Sequence, residues 1–356
     1  MTPPTGFESA AVIGTGMMGP GIALTLALGG VPSTILSRSS ESAARGLETA
    51  RGQASVLSAA ELISESECAA AVELLHASTD FETTVGRAAI VIESAPEDLA
   101  FKQELFARLD RLAQPDAVLA SNTSGLSITA VASACARPER VLTTHFWNPP
   151  HLVPLVEIVL GEKSSPAVAA AVRDLLAACG KTPVIVRRDR PGQLGNRLQM
   201  ALVREAAHII AEGIAGAADI DAVIKNGLGL RMPAYGLLEH MDVAGLDLAV
   251  AWPNTLVPIS TTKPTPRSTF ASWFVRAIWA PKPVWAFTIG RARAPPTSGP
   301  PAMHSSWKYF GTAGARLPPP PDTCAPAPSR APPATSRRFS PARLKFNLLP
   351  PIRPLV

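Results

Sequence analysis

Residues 10–19, Ala10-Ala-Val-Ile-Gly14-Thr-Gly16-Met-Met-Gly19, decide the fold. A short apolar strand runs into a G-x-G-x-x-G loop, a helical pattern follows, and a second strand-like run covers Ser33–Leu36. This order is the context in which the glycine fingerprint binds a dinucleotide. Gly14 permits the tight turn, Gly16 brings backbone close to a pyrophosphate, and Gly19 lets helix and strand pack. Because the helix N-terminus also offers free N–H groups to phosphate, we predict a dinucleotide site here.

Outward from this loop, strands alternate with helices. The apolar runs predict strands at residues 89–93, 118–121, 141–145, 155–159 and 182–186, with helices at 98–112 and 167–179. Such alternation predicts a mostly parallel sheet covered on both faces. Residues 40–75 are rich in Ala and Glu without a strand pattern, so we predict an inserted helical hairpin. From Pro191 the apolar positions recur every fourth residue, which predicts a second, all-helical domain from about residue 188.

Composition divides the 356-residue chain unevenly. Residues 259–356 hold 14 Lys and Arg against one acid, and they contain 20 of the 36 prolines, whereas residues 1–258 have a balance of −8. The length suggests about two domains. A basic pI of about 9.2 commonly indicates nucleic-acid or membrane-surface binding. Here the body is acidic, so such binding would rest on the tail alone.

The four cysteines give no regular pattern. Cys68, Cys135, Cys179 and Cys324 form no CxxC pair, so we expect reduced thiols in a cytoplasmic protein and neither a disulfide framework nor a metal site. The longest mainly apolar stretch near the N-terminus, residues 21–31, is shorter than the about 20 residues that cross a bilayer. No basic region precedes it, so we expect no secretory signal and no membrane association.

Several motifs resemble the 3-hydroxyacyl-CoA dehydrogenase family from about residue 8 to about residue 258. Besides the glycine loop they are Glu93-Ser-Ala-Pro-Glu97-Asp-Leu-Ala-Phe-Lys102, Ser121-Asn-Thr-Ser124-Gly-Leu, His145-Phe-Trp-Asn148-Pro and Pro191-Gly-Gln-Leu-Gly-Asn196-Arg-Leu. The resemblance implies an α/β fold with a Rossmann-type doubly wound, mostly parallel sheet at 1–187. It also implies an all-helical substrate and dimerisation domain at 188–258, an oxidoreductase activity and a nicotinamide cofactor.

Two residues suit the chemistry of alcohol oxidation. Removing the hydroxyl proton requires a base, and the imidazole of His145 changes protonation near neutral pH. Glu157 stands in the apolar run Leu155-Val-Glu-Ile-Val, where a buried acid is costly unless paired. The resemblance makes Glu157 the orienting partner of His145, and Ser124 and Asn196 the groups that hold the substrate oxygen. From the residues alone, Glu157 could also face solvent on an edge strand, and Ser124 could cap a helix.

Cofactor contacts are implied by the same resemblance. The positions are Gly14, Gly16, Met17, Met18, Gly19, Ser37, Arg38, Ala95, Glu97, Lys102, Asn122 and Asn148. Glu97 and Lys102 match positions beside the ribose and nicotinamide, although a solvent-facing charge is the simpler interpretation of Lys102. Asn148, in the His-x-x-Asn-Pro turn, suits either cofactor or substrate, or it simply starts a turn.

The choice between NAD and NADP is open. NAD-binding sheets of this type usually end the second strand with an acid that binds the ribose 2′-hydroxyl, and an Arg there suits a 2′-phosphate. Ser37 stands at this place and Arg38 follows it. Without a carboxylate to repel the phosphate, Arg38 could bind it as a bidentate partner, which makes NADP a serious hypothesis beside NAD.

The substrate class is open as well. Residues 149–157, 196–199 and 227–231 are more similar to the branch of L-gulonate 3-dehydrogenase and lambda-crystallin, which oxidises free 3-hydroxy acids. There Arg231 would bind the carboxylate as a planar fork. The 40–75 insert holds only Arg45 and Arg51 as a basic patch for coenzyme A phosphates. Other motifs, such as Ala95-Pro-Glu-Asp, favour a short-chain 3-hydroxyacyl-CoA. A non-catalytic, cofactor-binding protein is the third alternative.

After Pro258 the resemblance stops. The family closes with Leu-Gly-x-Lys-x-Gly-x-Gly-Phe-Tyr, which residues 277–290 do not contain. Back-translating these residues, dropping two bases and reading again permits Asn-Leu-Gly-Ala-Lys-Thr-Gly-Leu-Gly-Phe-Tyr-Asp-Trp. We therefore interpret residues 259–356 as a disordered frameshift product that leaves the helical domain incomplete, with dimerisation and activity both in doubt. A proline-rich linker and a basic nucleic-acid arm are the alternatives.

Overall fold

The computed structural model of the chain describes residues 6–245. The last part of the predicted helical domain, residues 246–258, lies outside the described residues. Cys324 and the rest of residues 259–356 also lie outside the described residues. The predictions that this tail is disordered and is a frameshift product therefore concern residues that the structure does not describe.

Eight strands form one sheet. They are β1 (Ala10–Ile13), β2 (Ser33–Leu36), β3 (Leu75–Ser78), β4 (Ile90–Glu93), β5 (Val118–Ser121), β6 (Val141–Phe146), β7 (Leu155–Leu160) and β8 (Thr182–Val186). Their order is β3-β2-β1-β4-β5-β6-β7-β8, and every neighbouring pair is parallel except β6 with β7. From β1 the chain adds β2 and β3 on one side of the sheet and then adds β4 and the later strands on the other side, so the strand order reverses between β1 and β4. At such a switch point, ligands bind beyond the carboxyl ends of the strands.

The helices fall into two groups. Around the sheet lie α1 (Gly19–Leu28), α2 (Ser40–Ala59), α3 (Glu65–Glu73), α4 (Phe81–Arg87), α5 (Leu99–Leu112), α6 (Ile128–Ala132) and α7 (Pro166–Ala178). After β8 come α8 (Gly195–Ala211), α9 (Ala217–Val223), α10 (Gly229–Arg231) and α11 (Leu237–Ala244), with a π-helical turn at Ile224–Leu228. The predicted Rossmann-type fold with a helical C-terminal part is therefore confirmed.

The core lies on both faces of the sheet, because its strands are apolar at successive positions. Ala10 and Val12 of β1 pack in one cluster with α1, α2 and α7. Ala11, between them, faces the opposite cluster with α5 and α6. Side chains alternate between the two faces of a strand, so one short strand stabilises both layers.

Capping residues explain where the two helices of the insert begin. Ser39 caps α2 by accepting from the Ser42 amide, and Ser64 forms a capping box with Glu67 at the start of α3. The predicted absence of strand character up to residue 75 is wrong at its end, because Leu75 begins β3. Only Leu75 of this edge strand is buried, so it has no apolar run for the sequence pattern to detect.

The described part after β8 is less buried than the sheet. No residue of α8 is buried, and apolar side chains such as Leu198 and Leu202 are exposed. Within residues 6–245, no helix has the length and hydropathy needed to cross a membrane. Cys68, Cys135 and Cys179 are free thiols, and burial raises the pKa of Cys179 to about 12.

Candidate active site

The antiparallel pair β6–β7 places His145 directly opposite Glu157. The Nδ1 atom of His145 lies 2.8 Å from Oε2 of Glu157. Both residues are buried, with 5 % and 1 % of their surfaces exposed. Glu157 therefore does not face solvent on an edge strand, and the structure brings together the acid and the imidazole that the sequence analysis pairs.

Four donors surround the Glu157 carboxylate. Trp147 Nε1 donates to Oε2 at 3.1 Å, and the backbone amides of Leu194 and Gly195 donate to Oε1 at 2.9 and 2.8 Å. Burial alone would raise the pKa of Glu157, but the hydrogen bonds from His145, Gly195, Trp147 and Leu194 outweigh it and lower the pKa to about 2. The carboxylate is therefore charged at any physiological pH.

This charge fixes the tautomer of the neutral imidazole. An ionised carboxylate can only accept, so Nδ1 of His145 donates to it, and in the neutral imidazole Nε2 then has a free lone pair. Nε2 makes no hydrogen bond to the part of the chain that the structure describes. The pair can therefore accept a proton at Nε2, with Glu157 stabilising the imidazolium that forms.

Ser124, on the loop after β5, and Asn196, in the first turn of α8, lie together. Asn196 Nδ2 donates to the backbone oxygen of Ser124 at 3.2 Å. The hydroxyl of Ser124 has no hydrogen bond among residues 6–245, and the residue is exposed. Ser127, not Ser124, caps α6 by accepting from the Ala130 amide. The capping interpretation of Ser124 is therefore wrong, and its hydroxyl is available to a ligand.

The glycine loop has the geometry that a dinucleotide requires. Gly14 has a φ of +118°, and a Cβ there would collide with the carbonyl oxygen of Ser94. A Cβ on Gly19 would collide with the Gly14 carbonyl, whereas one on Gly16 would meet nothing within 4 Å. The helix that starts at Gly19 has no side-chain cap on its first amides. Close packing at two glycines, open space at the third and free amides fit a pyrophosphate.

Residues at the end of β2 are placed as the sequence predicts. Ser37 follows the last residue of β2, and its amide donates to Ser78 O at 3.2 Å. Arg38 is exposed, and its guanidinium makes no hydrogen bond or ion pair to the described residues. Met17 is exposed beside the loop, whereas Met18 packs against the core.

Lys102 contradicts the solvent-facing interpretation. Its side chain is 1 % exposed, and Nζ lies 2.5 Å from Oε1 of Glu93. Glu97 Oε2 lies 3.5 Å from the same nitrogen. The backbone of Ala95 takes part as well, since its amide donates to Glu93 Oε1 and its oxygen accepts from Lys102.

Three other predicted residues differ in their surroundings. Asn122 Oδ1 accepts from the Phe146 amide at 2.9 Å, so this side chain connects β5 to the strand of His145. Asn148 is exposed at the turn after β6. Arg231 lies on α10 and contacts His240 Nε2 at 3.2 Å. Within the described residues, Arg231 has no hydrogen bond to His145, Ser124 or Asn196.

Sequence reasoning missed several residues of the site. Trp147 and the amides of Leu194 and Gly195 hold Glu157, and a Cβ on Gly195 would collide with the Trp147 ring. Gln193, with a φ of +52°, donates to Thr123 O at 2.7 Å. Glu93 had a usable signal, because it ends an apolar strand in the way that Glu157 interrupts one.

Comparison with known proteins agrees with this geometry. The family model "3-hydroxyacyl-CoA dehydrogenase, NAD binding domain" matches residues 9–190, and "3-hydroxyacyl-CoA dehydrogenase, C-terminal domain" matches residues 192–272. The second match continues beyond Pro258, where the sequence analysis places the end of the resemblance.

Individual relatives carry different names. The chain is 36 % identical over 245 residues to 5-formyl-3-hydroxy-2-methylpyridine 4-carboxylate 5-dehydrogenase of Mesorhizobium japonicum, covering 68 % of this chain and 77 % of the relative. It is 38 % identical to L-carnitine dehydrogenase of Streptomyces griseus, covering 68 % and 71 %. For a probable 3-hydroxybutyryl-CoA dehydrogenase of Bacillus subtilis, the values are 37 %, 67 % and 82 %.

A solved structure is also similar. The crystal structure of the pyridine carboxylic acid 5-dehydrogenase, described as an NAD⁺-dependent dismutase, superposes with a TM-score of 0.67 at 32 % identity. The superposition covers 73 % of this chain and 83 % of that one.

Proposed function

This chain belongs to the 3-hydroxyacyl-CoA dehydrogenase family of oxidoreductases, and from that premise we propose that it interconverts a short-chain 3-hydroxyacyl-CoA, such as 3-hydroxybutyryl-CoA, and its 3-oxoacyl-CoA. The observation that carries the proposal is the buried His145–Glu157 pair, 2.8 Å apart, with a free Nε2. The family matches to both domains and the Bacillus subtilis relative support the thioester substrate.

In the proposed mechanism, His145 accepts the substrate hydroxyl proton at Nε2 as the alcohol is oxidised. Glu157 holds the imidazole through Nδ1 and stabilises its charged form. The Ser124 hydroxyl, on the loop after β5, and Asn196, in the first turn of α8, hold the reacting oxygen, and the two residues are already hydrogen-bonded to each other. Because the carboxylate and its four donors are in place beforehand, the site needs little reorganisation during proton transfer.

When bound, a nicotinamide dinucleotide would supply the acceptor for the hydride that leaves the substrate carbon. We propose that Gly14, Gly16 and Gly19 hold its pyrophosphate, with Met17 and Met18 alongside. Ser37 and Arg38 would meet the adenosine ribose, and Ala95, Glu97, Asn122 and Asn148 would line the path toward the nicotinamide.

The first experiment is reduced-cofactor oxidation with acetoacetyl-CoA, compared with free acetoacetate and 3-dehydro-L-gulonate. We expect kcat/KM for the thioester to exceed that for either free acid by about tenfold or more. The nucleotide part of coenzyme A lies far from the reacting carbon, and its binding energy contributes to catalysis. Turnover of a free acid alone would contradict the thioester proposal.

A free 3-hydroxy acid is the second candidate, and specific observations favour it. Arg45 in the insert is engaged with Glu41 in an ion pair, which leaves Arg51 to meet coenzyme A phosphates. The names of two relatives specify substrates that are not thioesters. If the free acid is the substrate, replacing Arg231 with methionine should raise its KM with little change in kcat.

Cofactor preference gives a separate prediction. Replacing Ser37 with aspartate should raise the KM for NADP by about tenfold or more, because a carboxylate would repel the 2′-phosphate, and should leave or improve the KM for NAD. Ser55→Asp, at an exposed position of α2, is the control for an added charge. A wild-type enzyme that uses NAD as well as or better than NADP would rule out a role for Arg38 as a 2′-phosphate partner.

We also propose a homodimer formed through the helical part, supported by exposed Leu198, Leu202 and Leu238. Sedimentation at several protein concentrations measures its mass.

The non-catalytic alternative is distinguished by thermal shift. A cofactor that raises Tm without turnover of any tested substrate would favour this alternative.

A further inference from the structure

Gln193 has two features that lower the stability of the folded chain. Its backbone φ of +52° lies in the left-handed region, which glycine and asparagine adopt more readily than glutamine. The residue is 5 % exposed, and its Oε1 atom is buried without a hydrogen-bond partner among residues 6–245. Strained backbone and unpaired buried polar atoms both cost free energy, and such strain concentrates at functional sites. A role in stability therefore does not explain why a glutamine stands at this position.

The nitrogen of the same amide holds the loop after β5. Gln193 Nε2 donates to the buried carbonyl oxygen of Thr123 at 2.7 Å. Asn196 Nδ2 donates to the next carbonyl oxygen along the loop, that of Ser124, at 3.2 Å. Two side-chain amides, three residues apart in the chain, therefore hold consecutive carbonyls of the loop that carries the Ser124 hydroxyl.

The two residues between these amides hold the Glu157 carboxylate. The backbone N–H groups of Leu194 and Gly195 donate to Glu157 Oε1 at 2.9 and 2.8 Å. We call residues 193–196 the amide segment. At its start, the backbone N–H of Gln193 closes a turn by donating to Arg190 O at 3.0 Å. One short piece of chain therefore binds the Ser124 loop with its outer residues and Glu157 with its inner ones.

The proposed reaction needs Ser124 and His145 to meet at one substrate oxygen. The imidazole is held by Glu157, whereas Ser124 lies on a loop that has left the sheet. The paired part of β5 ends at Ser121, and the last sheet contact before Ser124 is made by Asn122, whose side chain accepts from the Phe146 amide at 2.9 Å. Beyond Asn122, the amide segment connects the loop to the carboxylate that orients His145.

Glu97 supports the opposite side of the same loop. Its Oε1 accepts from Thr123 Oγ1 at 2.5 Å and from the Ser124 and Gly125 amides at 2.9 and 3.1 Å. The Glu97 side chain is 44 % exposed and holds donors of the loop. The carbonyls are left to the amide segment, and of its two side chains Gln193 is the buried one.

We infer that Gln193 is a positioning residue: through the Thr123 carbonyl it sets the Ser124 hydroxyl against the His145–Glu157 pair, without touching the substrate. The inference rests on the proposed function for its catalytic consequence. A displacement of about 1 Å in such a loop can cost about 10²-fold in rate.

Two variants separate the reach of the amide from its chemistry. Gln193→Met keeps the length of the side chain but removes both the donor and the unpaired oxygen. Gln193→Asn keeps an amide and adopts a positive φ more readily, but it is one methylene too short to reach Thr123 O. Gln114→Met is the matched control, because Gln114 Nε2 also donates to a backbone carbonyl, that of Gly86 at 2.7 Å, on the turn after α5.

The first readout is hydrogen exchange of the peptide covering residues 121–126, measured without cofactor or substrate. Exchange should accelerate about tenfold or more in both Gln193 variants and stay unchanged in Gln114→Met. Tm should stay within about 3 °C of wild type in both, since each variant loses one hydrogen bond but also loses a source of strain or an unpaired atom. Unchanged exchange in Gln193→Met would overturn the inference.

Kinetics supply the second readout. We expect kcat to fall about tenfold to 10²-fold in both Gln193 variants, with the Kd for NADH, measured by its fluorescence, within about threefold of wild type. Wild-type kcat in Gln193→Asn would show that reach to Thr123 is not needed. A raised KM with unchanged kcat and exchange would make Gln193 a substrate ligand. A Tm that falls in step with kcat in both variants would leave only a structural role, and each of these three results overturns the inference.

Exchange and NADH binding need no turnover, so a failure of the proposed function is distinguishable from a failure of this inference. If no tested substrate is turned over, faster exchange at an unchanged Tm still supports the positioning of the loop by Gln193. If Gln193→Met does not fold, Gln193→Asn gives the same comparison of exchange with Tm.

Discussion

Replacing His145 with glutamine should lower kcat by about 10²- to 10⁴-fold, the range that a positioned general base contributes. Glutamine can still donate to Glu157 but cannot take a proton at the position of Nε2. The Kd for NADH should stay within about threefold of wild type, because the glycine loop is on other strands. Steady-state kinetics and fluorescence titration measure the two effects.

The matched control is His76→Gln, since His76 is exposed on the edge strand β3. It should leave kcat unchanged. A His145→Gln variant that retains more than about a tenth of the wild-type kcat would show that another group accepts the proton.

The second large effect is expected for Glu157→Gln. An ionised carboxylate accepts four hydrogen bonds here, and an amide would direct its NH₂ group at existing donors. The imidazole then loses both its orientation and the charge that stabilises its protonated form. We expect kcat to fall by about 10²- to 10⁴-fold, as when the acid of a catalytic triad is replaced by its amide. Glu162→Gln, at an exposed position, is the control.

Glu157 should also make the free energy of unfolding depend on pH. Its pKa is lowered from 4.5 to about 2 in the folded protein, so its stabilisation is present above the pKa of the unfolded chain, near 4.5. That stabilisation, about 3 kcal/mol, is lost as the pH falls from about 4.5 to about 2. Denaturant unfolding of wild type should show this loss over that interval, whereas Glu157→Gln should lack it. Parallel pH curves for the two proteins would contradict the assignment.

Sequence reasoning predicts well those features that are local in the chain. The glycine loop and most strands follow from short patterns, whereas the pairing of His145 with Glu157 follows from the family resemblance. The edge strand β3 is not predicted, because one buried leucine makes no periodic pattern.

Features that depend on contacts between residues distant in sequence are not predicted either. Lys102 belongs to an amphipathic helix, and nothing near it in sequence shows that its ammonium turns inward to Glu93. Likewise, backbone amides at Leu194 and Gly195 have no side-chain signal, although they hold the Glu157 carboxylate from 37 and 38 residues away. Such contacts are set by how the elements pack, which spacing alone does not encode.

The antiparallel register of β6 and β7 also restricts which changes in chain length this protein can tolerate. Residues 147–154 connect the two strands, and His145 faces Glu157 because that connection has its present length. One inserted or deleted residue that shifted the register would bring Val156 or Ile158 opposite His145 and turn Glu157 to the other face of the sheet. Homologous enzymes that keep this chemistry should therefore conserve the number of residues in the connection.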